Sequence, residues 1–161
     1  MTELIKLLSK ETGKSIELPE GIDLRRVQNQ FLAWLIGENV KLLEGLKLAN
    51  YDFNIIVIKC IQKVQTLHER AGKGETVTDE EWSVTFDTIH VLVGNITDGR
   101  HLSEGTVAEH TISAIKSAAY SSMFPRLLLS VMPYEASRAA NFNTSYEKQA
   151  DKLIELLEET E

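Results

Sequence analysis

Proline is scarce in this chain, and its placement constrains the fold more than any other feature. The 161 residues contain three, Pro19, Pro125 and Pro133. Proline breaks a helix interior because it removes a backbone donor and clashes with the preceding turn. Between Pro19 and Pro125 the chain is therefore free to run in long helices, and its apolar residues recur at helical spacing. Leu24, Val27, Phe31, Trp34 and Leu35 share one face of a helix opened by Asp23. Gly37 is expected to break that helix before "ENVKLLEGLKLAN" resumes it with Val40, Leu43 and Leu46. Next, Phe53, Val57, Cys60, Val64 and Leu67 fall in heptad register over about 53–71, while Ile55, Ile56, Ile58 and Ile61 make the first half apolar nearly all round. That pattern predicts a central, buried helix. A strand at "NIIVIKCI" competes, since β-branched residues favour strands. The continuation through "QKVQTLHER" favours the helix.

The remaining segments follow the same logic. Thr2 to about Thr12 reads as a short helix stopped by Gly13, and "GKSIELPEG" as a connector with an extended piece at Ser15 to Leu18. In "GKGETVTDEEW", Thr78 and Glu81 have the spacing of a capping box, with Val77 and Trp82 as its hydrophobic staple. A helix is predicted from Asp79 to about Val93, and "GNITDGRH" is a loop. Ser103 is expected to cap the next helix, with Leu102 and Val107 as staple. Its Ala108, Ile112, Ile115 and Ala119 trace one side, and Ala114, Ser117, Ala118, Ser121 and Ser122 thin the remainder, as suits a helix surrounded by others. Pro125 suits the first turn of "RLLLSVM", which Pro133 is expected to end. The last helix is predicted to start at Thr144 with Glu147 as a second capping box, burying Tyr146, Ala150, Leu153 and Leu157. The expected architecture is all-α. One domain, 1–161, would form a bundle of about six to eight helices, with an N-terminal helix and connector (1–22) leading into the main bundle (23–161).

Charge narrows the partners. A net charge of -7 argues against nucleic acid, whose phosphates call for a basic face, and against an anionic membrane surface. The charge could instead serve a basic partner or simply keep the chain soluble, and solubility is the expectation. The longest apolar run, "IIVI", is far too short to cross a bilayer. "MTELIKLLSKETGK" lacks the apolar stretch of a signal peptide, so a cytoplasmic protein is expected. Cys60 is the single cysteine, which leaves no internal disulfide and no cysteine metal cluster. Its apolar surroundings predict a small core residue rather than a nucleophile.

Histidine is the natural general base or metal ligand, and the four are His68, His90, His101 and His110. Asp87 and His90 stand three apart on one predicted helix, and Asp98 and His101 repeat the spacing in a loop. Brought together, Asp87, His90, Asp98 and His101 could hold one metal. Helical metal bundles, however, typically supply glutamate three before histidine on two helices, and neither His90 nor His101 has it. Solvated or capping histidines are the expectation, with no metal and no cofactor. Arg100 and His101 are adjacent, which does not match ribonuclease bundles needing an Arg and a His on one helix face. No phosphate-binding glycine motif occurs, and no catalytic residue is assigned. The acidic end "IELLEETE" reads as a fraying helix terminus.

The succession "IIVIKCIQKVQTLHERAGKGETVTDEEW", a small-residue helix and "YEKQADKLIELLEE" resembles an alanine-rich helical family of immunity proteins. The features that carry the resemblance are Gly74 with Thr78, Glu80 and Glu81, the stretch Ser113 to Ser122, and Gln149, Ala150, Asp151 and Leu153. It covers about Asn54 to Glu159. The resemblance implies a cytoplasmic protein that binds and neutralises a toxin, with no catalytic residues to transfer. The expected partner is another protein, with a homo-oligomer also compatible. Two other classes stay open: a small helical enzyme or metal-binding bundle using Asp87, His90 and His101, and a self-assembling structural bundle.

Overall fold

A computed structural model describes residues 1–45, 51–85, 87, 88, 113, 117, 132–141 and 144–160. It is all-α, with six helices and no strand among the described residues. They are α1 (Thr2–Thr12), α2 (Leu24–Gly45), α3 (Tyr51–Gly72), α4 (79–85, with 87 and 88 also helical), α5 (Met132–Ala140) and α6 (Tyr146–Glu158). Ser113 and Ser117 are helical as well, the first exposed and the second half-buried. The rest of the predicted 104–122 helix, Pro125 and the segment after it lie outside the described residues.

Helix α1 begins and stops where its spacing predicts, with Gly13 in the left-handed conformation just past its end. Its Leu4 and Leu8 are fully buried, and the connector adds Ile16 to the same core. Asp23 caps α2 as expected, accepting from the backbone N–H of Arg25 at 3.0 Å and of Arg26 at 3.1 Å. The predicted break at Gly37 does not occur, and α2 continues through it to Gly45. A Cβ added at Gly37 would lie 2.9 Å from Nε2 of Gln65. The space beside the glycine is taken up by the end of the Gln65 side chain from α3, and α2 against α3 is the most extensive packing between any two of these helices.

The β-branched stretch ahead of "QKVQ" is helical, as the continued periodicity predicts. Ile61, Val64 and Leu67 of α3 are buried, Cys60 and Ile58 pack half-buried against the core, and the side chains of residues 51–57 lie outside the described set. One core cluster joins α1, the connector, α2, α3, α5 and α6. Within it, α6 lies against α1 and α2, and α5 against the same two helices.

Two expectations about the C-terminal part are corrected. Pro133 does not stop a helix but stands within α5, whose described residues begin at Met132. Helix α6 is capped by Ser145, not Thr144. The Ser145 hydroxyl accepts from Lys148 N–H at 3.3 Å, and Asn141 Oδ1 accepts from Tyr146 N–H at 3.0 Å. Thr144 is buried, and its carbonyl is taken by Gln149 Nε2 at 2.7 Å. The predicted stripe holds: Ala150, Leu153 and Leu157 are buried and Tyr146 is half-buried.

Candidate functional site

The α3–α4 corner is held by a run of backbone and side-chain hydrogen bonds. Helix α3 ends in a Schellman turn: Glu75 N–H donates to Arg70 O at 3.0 Å and Gly74 N–H to Ala71 O at 3.1 Å. Gly74 takes φ 83, a conformation open to glycine without a Cβ penalty. Four residues later the predicted capping box is present in full. Thr78 N–H donates to Glu81 Oε2 at 2.9 Å, and Glu81 N–H to Thr78 Oγ1 at 3.2 Å. Arg70 closes the corner by pairing with both Glu75 and Glu81. The Arg70 guanidinium holds the Glu81 carboxyl below the usual glutamate range, and the Thr78 backbone N–H adds to the shift.

Beneath the corner lies a polar cluster that the histidine expectation misplaced. His68 is neither solvated nor capping but buried, and its ring packs against buried Trp82 with centroids 5.1 Å apart. Asn29 Nδ2 donates to Arg25 O at 2.9 Å, which turns Asn29 Oδ1 toward His68 Nδ1 at 2.8 Å. An amide oxygen only accepts, so Nδ1 carries the hydrogen. The ring contact ties α4 to α3, and the oriented hydrogen bond ties α3 to α2. Position 68 sits four after Val64, on the inward face of α3, and that spacing was the available signal.

An open groove of about 550 Å³ lies between α3 and α4. Lys59, Gln62, Lys63 and Thr66 form its α3 wall, and Glu80, Val84 and Thr85 its α4 wall, with Leu67 buried at the base. Val84 is 61% exposed, the most exposed large hydrophobic among the described residues. Glu80 and Asp87, four before and three after it, are exposed on the same helix face. A smaller cavity of about 320 Å³ separates the connector at Ile16 to Pro19 from Ile154 and Leu157 of α6.

Of the sequence-predicted metal candidates, Asp87 stands exposed on α4, while His90, Asp98 and His101 lie outside the described residues, as does His110. Among the described residues no group of three or more His, Cys, Asp or Glu is placed to hold a metal ion. No described helix is long and apolar enough to cross a membrane. What the corner can do chemically is present a rigid, mixed surface: one apolar side chain between carboxylates, beside a groove with a basic far wall. No family model matches this chain, and no curated protein or solved structure is significantly similar to it.

Proposed function

We propose that this protein is a cytoplasmic, non-enzymatic binding module that neutralises a basic partner protein, as immunity proteins do, by docking its α4 face. The observation that carries the reading is Val84, 61% exposed between exposed Glu80 and Asp87 on a helix locked in place by a capping box, an ion pair and a buried ring contact. An exposed apolar anchor ringed by charge has the anatomy of a recognition surface, where the apolar group loses water and the rim sets orientation. The net charge of -7 would steer a basic partner toward the chain and speed its association. Rigidity helps as well, because a pre-ordered surface loses less entropy on binding.

Co-expression with the product of each neighbouring gene tests the reading. The expected result is one product that arrests growth alone, is tolerated with this protein, and co-purifies with it in a salt-sensitive complex. Val84→Lys together with Glu80→Lys should abolish the protection while the fold is kept. If no neighbouring product is toxic, or a toxic one is not relieved, the reading fails. The rival reading, a metal-using bundle, would appear as one zinc or iron per chain in elemental analysis, lost in His90→Ala.

A further inference from the structure

The two walls of the α3–α4 groove carry opposite charge. On α3, Lys59 and Lys63 line the groove, exposed and one turn apart; on α4, Glu80 lines it, and Asp87, about two turns further along the helix, is exposed beyond the lining. Glu81, which also lines the groove, is already engaged by Arg70 and by the Thr78 N–H. Lys59, Lys63, Glu80 and Asp87 make no ion pair among the described residues. Each stands at an exposed position, so a docking body can pair with it without first breaking a salt bridge.

A basic wall beside an acidic wall is complementary to itself. In an isologous dimer the two-fold axis lies in the plane of the interface, and the same patch is used twice. With the axis running along the groove, each copy's basic wall comes to face the other copy's acidic wall. An axis across the groove would set lysine against lysine and is disfavoured. The favoured rotation also carries each exposed Val84 over the other copy's α3 wall, where it leaves water.

We propose that this groove face is the interface of a weak, salt-sensitive homodimer, with the second copy as its occupant. The dimer would cover Val84, Glu80 and Asp87 in the absence of any other partner. The inference uses the same face as the proposed function but not the neutralising activity, since self-association is measured on the purified chain alone. A monomeric protein would leave partner binding standing, and an inert neighbouring gene would leave the dimer standing.

Sedimentation equilibrium on the full chain provides the test. The wild-type protein is expected to dimerise in the micromolar range, with dissociation at least about tenfold stronger at 0.5 M than at 0.05 M salt, because exposed charge pairs are screened. Lys59→Glu with Lys63→Glu makes both walls acidic, and Glu80→Lys with Asp87→Lys makes both basic. Each double variant should be monomeric alone, whereas the two mixed in equal amounts should form a heterodimer. The quadruple variant, with its walls exchanged, should dimerise as the wild type does. All four positions are exposed, and far-ultraviolet circular dichroism checks that each variant keeps its helices. A wild-type chain that stays monomeric at about 0.5 mM, double variants that dimerise like wild type, or a mixture that stays monomeric overturns the proposal. The wild-type salt series decides the matter even if a variant fails to fold.

Discussion

Replacing Gln149 with Leu removes a fully satisfied buried amide and should be among the most damaging substitutions of near-constant volume in this chain. Gln149 is completely buried at the start of α6. Its Oε1 accepts from Ser137 Oγ at 2.6 Å, and its Nε2 donates to Thr144 O at 2.7 Å and to Ser137 O at 3.2 Å. Both amide hydrogens are thus used, and they fasten the end of α5 to the turn that begins α6. After Gln149→Leu, Ser137 O still accepts from Asn141 N–H at 3.0 Å. The Thr144 carbonyl and the Ser137 hydroxyl, both on buried residues, lose the partners they have here. An orphaned buried carbonyl costs about 1–3 kcal/mol and a lost hydroxyl bond about 1. Together these come to about 2–4 kcal/mol, and the added apolar volume recovers about 1 of it, so the net loss should be about 1–3 kcal/mol. With a urea m-value of about 2 kcal/mol/M for a chain of this size, the midpoint should fall by about 0.5–1.5 M. Ser137→Ala alone should cost about 1 kcal/mol, and the double variant less than the sum, since the two share a bond. Urea unfolding followed by circular dichroism measures all three. A neutral Gln149→Leu, or strict additivity, would refute the assignment of this amide as the fastener of the α5–α6 turn.

Thr78→Ala should cost about 1 kcal/mol, seen as a lower denaturation midpoint, and an unchanged midpoint would mean the capping box contributes nothing to α4. Two glycines should respond oppositely to alanine in thermal unfolding. At Gly37 the new Cβ meets only the movable end of Gln65, so helix propensity should make the change neutral or stabilising by up to about 1 kcal/mol. At Gly72 it would lie 2.8 Å from Gln30 Cγ and 3.2 Å from the Gln30 backbone nitrogen, and the overpacking should cost about 1–3 kcal/mol. The Lys148 and Lys41 ammonium groups, Lys148 foremost, hold the Glu38 carboxyl below its usual range. A depressed folded-state value means this stabilisation is present above the unfolded glutamate value, about 4.3, and is lost as pH falls through the folded one. The acid limb of stability against pH should accordingly flatten in Glu38→Gln.

How much of this was legible in the sequence depended on the range of the interaction. Local signals read true: Gly13 ends α1, Asp23 caps α2, and Thr78 and Glu81 form their reciprocal box. Such features involve residues within a turn of one another, so spacing alone specifies them. The all-α class and the helical state of α3 followed from periodicity sustained over several turns, which outweighed the β-branched run. Most of the misreadings turn on a residue more than a turn away. Gly37 looks like a helix breaker until Gln65 from another helix fills the space it leaves. Thr144 looks like an N-cap until Gln149 takes its carbonyl and Ser145 supplies the cap. His68 looked like one more polar helix residue, and only the placement of Asn29 and Trp82 makes it a buried, oriented partner. The candidate face shows the same division. Glu80, Val84 and Asp87 share a helix face by arithmetic alone, but only the packing of α4 beside α3 sets Lys59 and Lys63 across a groove from Glu80 and Val84. One-dimensional spacing fixes which side chains share a surface of one helix, whereas opposition between helices depends on how the chain closes in space.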